Sequence, residues 1–192
     1  MQLLKIKEAG IISGYIFMLV GIYLFDYEPF ILFITFLLDY FASVVILAIT
    51  DYLDKSKKSS VFNFFHILIT GALLGMIQTA FIMLLAYLME GKSTFAAHQD
   101  NLYWLIPLIF IPTLILKTIP LFGENFSRDL TDRKRGEMMT HAVAFPAMLM
   151  AGILIHEIAG KNSVNIVLTF MILARCGIEF WMNHLQKPKK KK

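Results

Sequence analysis

The sequence predicts an all-α, polytopic membrane protein: six transmembrane helices in one bundle, with both termini in the cytoplasm. Three observations predict it. Apolar residues fill 57% of the 192 positions and charged ones only 17%, whereas soluble domains average roughly 45–50% and about 25%. The apolar residues gather in runs of about twenty, the length that carries a helix across the hydrocarbon core. Lysine and arginine then alternate from loop to loop, fourteen on one side of the expected membrane against two on the other. Together with a mean hydropathy of +0.65, this pattern excludes a soluble globular enzyme, a disordered tail and a disulfide scaffold.

Six crossings are expected, at about 10–25, 29–50, 61–89, 102–122, 140–159 and 163–185, all in a single transmembrane domain spanning 1–192. The first is short, with Leu3 to Ile6 as an interfacial lead-in. It is read as a crossing and not a signal peptide, because no Ala-x-Ala-like cleavage site follows it. The third is long enough to tilt or to project. The fourth contains Pro107, Pro112 and Pro120, each of which removes a helical donor and favours a kink. Tyr103 and Trp104 at its start, and Trp181 in the sixth, read as interfacial anchors.

Orientation follows from the cations. Lys5, Lys7, Lys55, Lys57, Lys58, Arg128, Arg133, Lys134, Arg135 and the tail lysines share one side; Lys92 and Lys161 lie opposite. Cytoplasmic loops carry the positive excess, so the first side is expected to be the cytoplasm. The loop from about Gly123 to Met139 is too short for a core of its own. Net charge is +4, with five positives in the last six residues. The basic tail at 186–192 is therefore expected to hold anionic lipid head groups, with no nucleic acid as partner. Gly10 with Gly14, Gly71 with Gly75 and Ala147 with Ala151 repeat at a spacing that lets helix backbones approach closely. Packing within the bundle is the first expectation, and a homodimer seam the second.

Charged side chains inside these runs carry the functional signal. Each costs roughly 2.5–3.5 kcal/mol at the bilayer centre, so each needs a partner or a purpose. Asp39 lies near the middle of the second crossing and Arg175 near the middle of the sixth, at matching depth. Glu179 follows Arg175 by one turn, with Asn183 and His184 beyond it. His66 is expected near the level of Glu179, and Gln78 in mid-membrane can donate and accept across helices. Asp39, His66, Gln78, Arg175 and Glu179 are the candidate ligand or proton-binding residues. Lys117 is expected to snorkel to the cytoplasmic head groups. His156-Glu157 reads as a solvated pair at the outer interface.

Metal and catalytic chemistry have less to stand on. His66, His141, His184 and Glu179 offer three nitrogens and an oxygen that would suit zinc or another divalent ion, but on separate helices and without a local ligand motif. No cofactor is therefore expected beyond that divalent metal. The zincin pattern fails because Gly160 stands where its second histidine belongs. No phosphate loop or nucleophile elbow is present, and the single cysteine, Cys176, excludes an intramolecular disulfide and has no adjacent base.

The same residues resemble an uncharacterised prokaryotic membrane family catalogued as domain of unknown function 6498. Leu37-Leu38-Asp39-Tyr40 occupies the place of that family's Trp-Leu-Glu-Asn-like stretch. Phe64-Phe65-His66 is similar to the start of its third helix, although Leu73-Leu74-Gly75 stands where a second histidine is common. Arg175, Glu179 and His184 resemble the basic, acidic and histidine series of its last helix. The resemblance implies one constellation of Asp39, His66, Arg175 and Glu179; it implies no substrate. Three functional readings follow. The first is a buried polar centre that binds or moves a small ligand, ion or proton. The second is a scaffold subunit whose charges lock helix register, and the third a membrane-embedded metal-dependent enzyme.

Overall fold

The computed structural model describes residues 12, 15, 16, 18–24, 29–54, 60–90, 102–123, 126–160 and 164–185, with the backbone alone at 90, 102, 103, 105, 120, 123 and 183–185. Every regular element among them is helical. Residues 18–24 form α1. Then come α2 (Pro29–Tyr52), α3 (Val61–Glu90), α4 (Leu102–Thr118), a 3-10 turn (Ile119–Gly123), α5 (Arg128–Ala159) and α6 (Val164–Leu185). By length and composition α2, α3, α5 and α6 can each cross a membrane. α4 contributes only the shorter apolar stretch Ile106–Thr118. Of the expected first crossing, residues 12, 15, 16 and 18–24 are described and helical; Gly10, Gly14 and the tail at 186–192 lie outside the described residues.

Two boundaries differ from the sequence reading. The fourth helix ends at Thr118, not 122. Pro120 lacks the backbone donor that a further α-turn needs, and the chain tightens into the 3-10 turn. The fifth helix begins at Arg128, twelve residues before the expected Thr140. Its charged start lies in the expected loop from Gly123 to Met139, but the charges alternate in sign at helical spacing. Arg128 reaches Asp132 at 3.8 Å, Arg133 reaches Asp129 at 3.6 Å, and Lys134 reaches Glu137 at 2.8 Å. Each such pair adds about 0.3–0.5 kcal/mol on an exposed face. Arg135 also meets Asp51 of α2 at 3.6 Å, and the Thr131 hydroxyl donates to the Thr50 carbonyl at 3.4 Å. The extension is thus tied to the end of α2.

α2 is the axis of the bundle. Its apolar stretch is 67% buried, against 22%, 33% and 28% for α3, α5 and α6, so it is enclosed while the others keep an apolar face outward. Phe33, Phe36 and Leu37 of α2 pack with Ile82 and Leu85 of α3, Phe145 and Leu149 of α5, and Leu168 and Met171 of α6. The outward faces carry large apolar side chains such as Leu73, Leu108, Val143, Leu154 and Leu173. That is the surface a bilayer covers.

The Gly71–Gly75 pair serves this packing. Both glycines are buried. A Cβ on Gly71 would fall into the Val44 side chain, and one on Gly75 into the Phe41 ring. The missing side chains let α2 and α3 close up, as small residues do in membrane helices. Tyr40 then donates its hydroxyl to the Gly71 carbonyl at 3.0 Å. This glycine face is occupied within the chain. Ala147 is exposed and Ala151 half-buried on α5.

Candidate functional site

Helix period and depth bring the charges together. On α2, Asp39 and Ser43 stand one turn apart on the same face, and the Ser43 hydroxyl donates to the Asp39 carbonyl at 3.0 Å. On α6, Arg175 and Glu179 are likewise one turn apart, with Arg175 Nε donating to Glu179 Oε1 at 3.3 Å. Across the bundle Arg175 Nη2 donates to Asp39 Oδ2 at 2.5 Å. Arg175 is only 2% exposed. Its guanidinium lies over the Phe36 ring, 5.5 Å from the centroid, and that ring meets Phe145 edge-on at 5.8 Å. An aromatic face stabilises a desolvated cation, so the packing holds the guanidinium where it reaches both acids. Tyr15, buried in the N-terminal helical segment, lies against Arg175 and Glu179.

Lys117 corrects an expectation. It does not snorkel. Its Nζ lies 2.9 Å from Asp39 Oδ1 and 2.8 Å from Ser43 Oγ. A half-buried carboxylate at this depth attracts the ammonium more strongly than the distant head groups do. Asp39 is therefore shared by two cations, one on each oxygen. Two acids and two bases leave the centre neutral, which is what burial requires.

His141 joins this centre. A ring nitrogen of His141, a carboxylate oxygen of Asp39 and one of Glu179 lie within 4.8 Å of one another. The expected crossing at 140–159 would put this histidine in the first turn of its helix. Because α5 starts at Arg128, His141 instead lies four turns along, 6% exposed, and its Nδ1 has no hydrogen-bond partner among the described residues. Pro146 withholds the donor that the Ala142 carbonyl would otherwise receive, which frees a backbone acceptor next to His141.

The other candidates lie elsewhere. His66 does not join the group: it is exposed on α3 and stacks on Phe62 at 6.3 Å, one turn before it. Its turn of α3 faces outward, because α3 gives α2 the stripe of Gly71 and Gly75. Gln78 is buried at 1% exposure on α3, and neither its Oε1 nor its Nε2 has a partner among the described residues. The side chains of Asn183 and His184 fall outside the described residues. His156 is buried, not solvated, while Glu157 is exposed. Sequence reasoning missed Lys117, Ser43 and Tyr15 as parts of the centre. The signal for the first was Ser43, a polar residue one turn from Asp39 on the same face of α2.

Comparison with protein-family models, with curated proteins and with solved structures finds no match to this chain. The chemistry of the centre therefore stands on its geometry.

Proposed function

We propose that this is a multi-pass protein of a prokaryotic cytoplasmic membrane, with six crossings and both termini inside, whose polar centre binds and passes a proton or small cation. One observation carries the reading. The two acids at the centre keep partial access, at 21% for Asp39 and 26% for Glu179, while the arginine between them is sealed at 2%. A carboxylate that is reachable yet held by a fixed cation is suited to exchanging positive charge. An anionic ligand is disfavoured, because Arg175 already commits Nε and Nη2 to Glu179 and Asp39. The resemblance to the prokaryotic family named above rests partly on these residues, and membership belongs to this proposal.

The test is reconstitution into sealed liposomes with a pH-sensitive dye inside. The parent protein is expected to dissipate an imposed pH gradient or a cation gradient, and Asp39→Asn to slow it at least about tenfold, the scale of losing one proton-transfer group. Parent vesicles as tight as protein-free ones overturn the reading. Topology is tested separately in a Cys176→Ser background. Lys58→Cys should react with an impermeant thiol reagent only after permeabilisation, and Ser93→Cys in intact cells.

A scaffold reading is favoured by a different observation. The Asp39 carboxylate joins α2 to α4 through Lys117 and to α6 through Arg175. Charges used in this way lock helix register. The scaffold reading predicts tight parent vesicles and strong coupling between these residues.

A further inference from the structure

A nitrogen among the oxygens narrows which cation such a centre takes. Calcium and magnesium prefer oxygen ligands throughout, whereas zinc, cobalt and nickel accept imidazole beside carboxylate. His141 sets that nitrogen against Asp39 and Glu179, with all three ligand atoms within 4.8 Å of one another. The histidine is 6% exposed and its Nδ1 has no partner among the described residues. A buried, unpaired ring nitrogen beside two carboxylates is a standing cost.

Resting on the cation-site reading above, we propose that Asp39, His141 and Glu179 bind a divalent transition-metal ion of the zinc class, and that the Lys117 ammonium holds the metal's place at Asp39 in the metal-free state.

Charge balance dictates the exchange. Without metal, two acids face two bases. A dication added to that set would leave a double positive charge in a low dielectric, which is prohibitive. One base must leave. Arg175 is sealed and bonded to both acids, with Phe36 beneath it. Lys117 is 28% exposed, in the last turn of α4, on a stem that can extend to the head groups. Its departure frees Asp39 Oδ1 on the side away from Arg175. The ion then takes that oxygen, the second acid and the imidazole. Three protein ligands leave a fourth position open, where an incoming hydroxide or other anion cancels the remaining positive charge. Zinc bonds of about 2.0–2.1 Å set ligand atoms roughly 3.3 Å apart, so the side chains draw in by up to about 1.5 Å as the ion enters.

The test uses the full chain, purified without a polyhistidine tag and titrated with Co2+. Absorption in the visible reports tetrahedral coordination, and metal content is measured after desalting. The parent is expected to take up stoichiometric Co2+. Lys117→Met should tighten binding about tenfold or more, since it removes a competing state. His141→Gln should weaken binding about 10- to 100-fold, the effect of losing one supporting group, or more. Circular dichroism and elution profile check that each variant is folded, and Lys117→Gln repeats the test with a second neutral side chain. The proposal is overturned if the parent and both Lys117 variants bind no Co2+, if His141→Gln binds as the parent does, or if neutralising Lys117 weakens binding. A parent that dissipates a proton gradient in liposomes while neither it nor the Lys117 variants bind Co2+ loses the metal and keeps the reading of the preceding section. A parent that does neither loses both.

Discussion

The Lys117 ammonium stands 2.9 Å from Asp39 Oδ1, so a lysine in the last turn of α4 is turned toward the middle of α2 and away from the membrane surface. Asp39 thereby has a partly exposed partner on one oxygen and a sealed one, Arg175, on the other. The two partners predict different mutational behaviour.

Breaking the Arg175 partnership should be severe. Arg175→Gln leaves Asp39 with Lys117 alone and Glu179 with no cation, and Asp39→Asn leaves a sealed guanidinium short of an acid. Each is expected to lose about 3–5 kcal/mol, as when one member of a buried pair is removed. The double variant should lose no more than the worse single. Reversible unfolding in mixed micelles measures the cycle, and additive losses would exclude coupling.

Breaking the Lys117 partnership should be mild. Lys117→Met leaves Asp39 bonded to Arg175, and the side chain is 28% exposed. The loss is expected to be about 1 kcal/mol or less, the range of partly solvated ion pairs. The same unfolding measurement serves, and a loss equal to that of Arg175→Gln would show that both oxygens are held alike.

Gln78→Leu is expected to stabilise the protein. The amide is 1% exposed with both polar atoms unpaired among the described residues. Replacing it with an apolar group of similar size relieves a penalty of about 1–3 kcal/mol. A fall in the unfolding midpoint would mean that the amide has a bound partner, such as water.

Gly71→Ala should destabilise by about 1–3 kcal/mol, the cost of overpacking, because the new methyl meets the β-branched Val44 on the facing helix. Gly177→Ala is the control. Nothing lies within 4 Å of its would-be Cβ, and alanine should gain up to about 1 kcal/mol in helix propensity. Equal effects at the two sites would contradict the close approach of α2 and α3.

Tyr40→Phe removes the hydroxyl that donates to the Gly71 carbonyl while keeping the ring. Interhelical hydrogen bonds in membranes average about 0.6 kcal/mol and reach about 1.7, and a loss in that range is expected from the same unfolding assay.

The apolar helices and the depth of Asp39 and Arg175 were legible because hydropathy and helical rise fix how far along a crossing a residue lies. Which way a residue faces was less legible. His66 was expected at the level of Glu179, yet it projects from the outer side of α3, because Gly71 and Gly75 claim the inner side for α2. Lys117 was misplaced for a related reason: a long flexible side chain can satisfy its charge in either direction, and only the position of Asp39 across the gap decides. His141 was misplaced by a boundary. Alternating charges from Arg128 to Glu137 read as polar loop when counted and as helix when spaced at three and four residues. Gln78 was correctly read as a mid-membrane polar group, but its lack of a partner depends on neighbours from other helices, which no local pattern encodes.

The separation between Asp39 and Arg175 bears on how the chain is made. Arg175 follows Asp39 by 136 residues. At about 5–20 residues per second, the ribosome completes Arg175 roughly 7–27 s after Asp39. Throughout that interval the innermost helix carries an acid whose fixed counter-charge has not been synthesised. The nascent chain must keep Asp39 protonated, in contact with water, or shielded by the insertion machinery. A chain that stops before α6 keeps this defect permanently.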